Sequence, residues 1–115
     1  MLALLESIIA MDRLQLRENP AFPPLYNSQI RYKAEGRDEN GKTKEHWRTI
    51  AELHQYQGGD CEDLACARVA ELREAGINAR PWLQKIQGLW HVQVRWPDGT
   101  IEDPSVLLGM KEPFV

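Results

Sequence analysis

Three residues of this chain stand in an order that can perform nucleophilic chemistry. Cys61 lies in Gly58-Gly59-Asp60-Cys61-Glu62-Asp63-Leu64-Ala65, His91 follows in Leu89-Trp90-His91-Val92, and Asp103 comes shortly after. A thiol attacks a carbonyl only once its proton is lost, and a helix start favours that loss through unpaired backbone N–H groups and the positive end of the helix dipole. A histidine alongside can take the proton, and a carboxylate on the far ring nitrogen fixes its tautomer and orientation. The chemistry would be acyl transfer through a thioester. An oxyanion site is expected from the Cys61 N–H plus a second donor just upstream, where Gln55, Tyr56 and Gln57 are within reach and Gln57 or Gln55 is favoured. Glu62 and Asp63 have a plain role as dipole partners, and their charge beside the thiol would raise its pKa.

Several elements must hold these groups. Leu2, Leu5, Ile9 and Leu16 recur at helical spacing, which predicts a helix over 2–16 stopped by Asn19-Pro20. Residues 19–44 read as a long irregular segment, with prolines at 20, 23 and 24, a polar run over 37–42 and a short edge strand at Ile30-Arg31-Tyr32. Thr49-Ile50-Ala51-Glu52 has the form of a capping box opening a short helix that ends at Gly58-Gly59. Asp60 caps the next helix, whose apolar stripe is Cys61, Leu64, Ala65, Val69, Leu72 and Ala75, and Gly76 stops it. Arg68 within that stripe predicts a part-buried guanidinium paired with a carboxylate.

Beyond Gly76 the period changes. Residues 77–86 and 89–96 read as strands joined at Gln87-Gly88, and Pro97-Asp98-Gly99-Thr100 turns the chain into Ile101-Glu102-Asp103. Alternation places His91, Gln93 and Arg95 on one face and Trp90, Val92, Val94 and Trp96 on the other. If the Cys61 helix covers the His91 face, the apolar face needs another cover, and the first helix or a partner is the candidate. The hairpin brings Asp103 within reach of His91. The fold class is α+β: N-terminal helices, then a catalytic helix packed on a small antiparallel sheet, in a single domain over 1–115.

Composition excludes several functions. A formal charge of −3, from 14 basic and 17 acidic residues along the whole chain, leaves no basic stripe for nucleic acid. The apolar opening carries Glu6 and lacks a basic leader, so it reads as an amphipathic helix, neither signal peptide nor membrane span, in a protein made in the cytoplasm. Cys61 and Cys66 point about 140° apart on one helix and should not pair. With His46, His54 and His91 scattered, no zinc spacing exists, and neither metal nor cofactor is expected. Cys66 fits a buried structural thiol. Trp82, Trp90 and the 19–44 segment are expected to line a substrate groove.

Taken together, Gly59-Asp60-Cys61-Glu62-Asp63-Leu64-Ala65, Leu72-Arg73-Glu74-Ala75-Gly76-Ile77-Asn78-Ala79-Arg80, His91-Val92-Gln93-Val94, Asp98-Gly99 and Asp103-Pro104-Ser105 resemble the core of the transglutaminase-like superfamily. The stretch Pro23–Tyr32 and Leu108-Gly109-Met110 are similar to small phage- or prophage-encoded members. The resemblance implies a papain/transglutaminase-like core with Cys61 as nucleophile, His91 as general base and acid and Asp103 as orienting carboxylate. It implies a peptide or protein substrate, phage structural proteins as partners and incorporation into a virion, and the small size favours hydrolysis over cross-linking. The chain departs from the pattern at Val92-Gln93, where an aromatic residue often follows the histidine, and at Asn78, where proline is common. One alternative is a catalytically inactive transglutaminase-like module for binding or virion assembly. Another, an NlpC/P60-like cell-wall peptidase, usually has Ser-Gly after the cysteine, where this chain has Glu62-Asp63.

Overall fold

A computed structural model describes residues 1–34 and 47–111. The polar run over 37–42, the remainder of the expected irregular segment to 44, and His46 lie outside the described residues. Helix α1 (Leu2–Glu18) ends where Asn19 N–H turns back onto the Gln15 carbonyl before Pro20. It buries Leu5, Ile8, Ile9 and Asp12, so the inward face is rotated from the expected one and Leu2 is exposed.

A single 3-10 turn at Leu25–Asn27 leads to β1 (Arg31–Tyr32). Helix α2 (Ile50–Tyr56) opens on the predicted capping box, with the Thr49 N–H donating to Glu52 Oε1 at 3.1 Å. Two further donors of its first turn are satisfied from α1: Ile50 N–H by Asp12 Oδ1 at 2.8 Å, and Ala51 N–H by Gln15 Oε1 at 2.9 Å.

After α2, Gln57 takes a left-handed conformation and β2 (Gly58–Gly59) pairs in parallel with β1, Arg31 opposite Gly58 and Tyr32 opposite Gly59. Glycine is needed at 59, because a Cβ there would stand 2.5 Å from Leu53 Cδ2 and 2.9 Å from Asp63 Cβ. Helix α3 (Cys61–Glu74) follows at once, capped by Asp60 and Asp63 reciprocally. The residues after it close a turn, Ile77 N–H returning to the Leu72 carbonyl, so the next strand starts later than alternation suggested.

Strands β3 (Arg80–Ile86), β4 (Leu89–Arg95) and β5 (Ile101–Glu102) form an antiparallel sheet with β4 in the centre, and α4 (Pro104–Leu107) comes straight off β5. This is an α+β arrangement of four helices and a small sheet. Val92 and Val94 belong to the same buried cluster as Leu64, Ala65, Val69 and Leu72. Helix α3 therefore packs on the valine face of β4 and not on the His91 face, and α1 lies on α3. Sandwiched between α1 and the sheet, α3 buries more than one stripe: Cys66 is 0 % exposed, its thiol against the Leu5 carbonyl. Arg68 is paired as expected, to Glu102 at 2.7 Å and Glu71 at 3.3 Å. Among the described residues no helix is long and apolar enough to cross a membrane.

Candidate active site

Cys61 is the first residue of α3, where a backbone N–H has no acceptor within the helix. Its sulfur lies against β4, where the backbone N–H of Val92 favours the charged form of the thiol. This donor is available because of where β5 stops. Strand β5 pairs only Glu102 with Val94 and Ile101 with Arg95, and the chain then turns into α4 at Pro104. Val92 points its N–H out of the same edge as Val94, two residues beyond the last rung, on the side where Cys61 sits.

The residue next to Val92 is His91, which is 4 % exposed. Its Nε2 stands 2.7 Å from Asp103 Oδ2. A carboxylate can only accept, so Nε2 carries the hydrogen and Nδ1 the basic lone pair. Asp103 is held in turn by two further donors: Gln93 Nε2 donates to the same Oδ2 at 3.1 Å, and Oδ1 takes the Val106 N–H at 3.3 Å as the cap of α4. The carboxylate is fixed by a strand and a helix together. Gln93 was placed on the His91 face by alternation, but its hold on Asp103 had no sequence signal.

The charges around the thiol oppose its ionisation. Burial first, then the neighbouring Glu62 carboxylate, push the Cys61 pKa up to about 12, while the Val92 N–H pulls the other way. The thiol donates to Glu62 Oε2 at 3.4 Å. Burial works against the Glu62 charge too, but hydrogen bonds from Asp60, its own N–H and the Cys61 thiol, with His91 nearby, hold its pKa below the usual range. Asp60 is driven upward by burial and by sharing a hydrogen bond with Glu62. The helix start thus does not yield a standing thiolate. Tyr32, beside Gly59 in the β1–β2 pair, belongs to the same surroundings: burial, then the charges of Cys61, Asp60 and Glu62, raise its pKa. Sequence reasoning missed it, since the parallel β1–β2 pair has no local signature.

The proposed accessory residues are dispersed. The Gln57 side-chain amide donates to Gln29 Oε1 at 2.8 Å, and both line a surface cleft of about 620 Å³ with Arg31 and His54 that does not include Cys61, His91 or Asp103. Gln55 is exposed on α2. Trp90 is exposed with Lys85 over its ring, and Trp82 lies under Arg95 at 4.8 Å, toward the C-terminal end of β4. Trp82 lines a cleft with Leu2, Glu6, Arg73 and Arg95. No group of three or more His, Cys, Asp or Glu side chains among the described residues is disposed to hold a metal ion. No protein-family model matches the chain, and no curated protein or solved structure matches it significantly.

Proposed function

We propose that the chain is a cysteine-dependent amide or peptide hydrolase, or acyl transferase, of transglutaminase-like type and phage or prophage origin. The observation that carries this reading is the 2.7 Å His91–Asp103 pair set one residue from the Val92 N–H that meets the Cys61 sulfur. In the first half-reaction the Cys61 proton passes to His91 as the sulfur attacks the substrate carbonyl. The C–N bond then breaks, the leaving amine takes the proton from His91, and a thioester remains. Water or a second amine, deprotonated by His91, then attacks the thioester carbonyl, the C–S bond breaks, and the departing sulfur takes the proton back from His91. With a thiol pKa near 12, proton removal and attack belong to one step, so His91 works as a true general base.

The test compares wild type with a Cys61→Ala variant, matched by circular dichroism, on casein peptides and peptidoglycan fragments. Turnover and an acyl adduct mapped to Cys61 are expected only in wild type; equal turnover by the folded variant refutes the reading. One observation favours a second reading, an inactive transglutaminase-like module for binding or virion assembly: the thiol is engaged by Glu62 and held protonated. On that reading no acyl adduct forms with any substrate.

A further inference from the structure

Away from Cys61, the β3–β4 ladder places two arginines face to face. Arg80 and Arg95 are direct cross-strand partners, so their side chains leave the same face of the sheet. Like charges in that relation repel, and a carboxylate between them would offset the cost. Here none is supplied. Neither guanidinium makes an ion pair or hydrogen bond among the described residues. Glu6, the carboxylate that feels the Arg80 charge, is committed through both oxygens to Arg73, at 2.7 and 3.0 Å.

The pair is also shaped. Arg95 lies over the Trp82 ring at 4.8 Å, which occupies its flat face and leaves its N–H edge to point elsewhere. Arg80 and Arg95, with Asn78, Trp96 and Pro97, line a cleft of about 310 Å³, larger than a phosphate or carboxylate group and open to solvent. Two arginines and an asparagine lining one cleft supply several N–H donors for the multiple acceptor oxygens of an oxyanion. Arg95 is four residues along β4 from His91, roughly 13 Å at the rise of a strand, so an anion held here would not overlie the candidate active site.

We propose that Arg80, Arg95 and Asn78 form an oxyanion-binding site, for a phosphate or a carboxylate group, separate from Cys61. This site stands on its own geometry and holds whether or not Cys61 is catalytic. The test is titration of the full-length protein, followed by NMR through the Arg Nε–H resonances, with inorganic phosphate in one arm and acetate in the other, at constant ionic strength set by chloride. Saturable shifts confined to Arg80, Arg95 and their neighbours are expected, with a dissociation constant of roughly 10 mM or tighter for the preferred anion. The tighter arm identifies the source. Arg95→Gln should weaken that binding about tenfold or more, while the free variant melts no lower than wild type because a repulsion has been removed. Shifts that stay linear and equal those from chloride in both arms overturn the proposal, as does undiminished binding in a folded Arg95→Gln variant. The wild-type titration alone decides the matter if that variant does not fold.

Discussion

Glu62 is the group that most plainly restrains the candidate nucleophile, and replacing it by glutamine turns that restraint into a number. The thiol donates to Glu62 Oε2 at 3.4 Å. At that separation two unit charges interact by about 1 kcal/mol in bulk water and about 5 kcal/mol at an effective dielectric of 20, or about 1 to 4 pKa units. The lower end governs, because Asp60 shares a hydrogen bond with Glu62 and will ionise more readily once that carboxylate is gone. Glu62→Gln should therefore lower the Cys61 pKa by about one unit. Thiolate becomes about tenfold more abundant, but each thiolate is less nucleophilic as its pKa falls, so the net gain is roughly threefold to fourfold. The assay is iodoacetamide alkylation near pH ~8, read by peptide mapping. Cys66, 0 % exposed, will not compete. A Cys61 rate in the folded variant that is unchanged or slower would refute the assignment of Glu62 as an electrostatic brake.

Three further perturbations separate roles that overlap in the structure. Asp103→Asn keeps an acceptor for the Val106 N–H but turns an amide NH₂ toward His91, so acyl transfer should fall by about 10³-fold or more. Asp103→Ala also removes the cap and should unfold at lower urea, by about 1 kcal/mol relative to Asn; retained turnover in either variant would contradict the role of Asp103. Burial raises the Asp12 pKa to about 8, so the native state keeps a proton that the unfolded chain releases near pH ~4. The stabilisation is complete below the unfolded pKa and is lost as pH rises toward about 8, at up to about 1.4 kcal/mol per pH unit; urea titrations at several pH values should show a shallower decline in Asp12→Asn. Gly59→Ala should cost about 1–3 kcal/mol, because Leu53 and Asp63 are packed against that position, whereas the atoms nearest a Cβ at 58 belong to the flexible Lys33 side chain and Gly58→Ala should cost less than about 1 kcal/mol.

Much of this architecture could be read locally. The Thr49–Glu52 box, the Asp60 cap, the Gln87-Gly88 turn and the alternation of β4 each depend on neighbours in sequence, and each sets an element that the structure contains. Long-range choices were less legible. Val92 and Val94 announced an apolar face, but only three-dimensional packing assigned α3 to cover it. The parallel β1–β2 pair joins segments far apart in the chain, and the short β5 leaves a donor for Cys61 that no residue pattern marks. The hairpin placed Asp103 within reach of His91, and the two stand 2.7 Å apart. The thiol's surroundings were only half readable: acidic neighbours were visible in Glu62 and Asp63, while burial, the larger cause of the raised pKa, depends on the whole fold.

Helix α1 supplies no atom to the candidate site, yet it anchors the approach to it. Seven residues are too few for α2 to persist alone, and two of its opening amides are held by Asp12 and Gln15 of α1. The end of α2 delivers Gln57, Gly58 and Gly59 directly to Cys61. A truncation lacking the first 18 residues would therefore lose more than a covering layer: the tether that sets where α3 begins would slacken, and the sulfur would lose its register against Val92. The N-terminal helix acts as a remote fixture for a site it never touches.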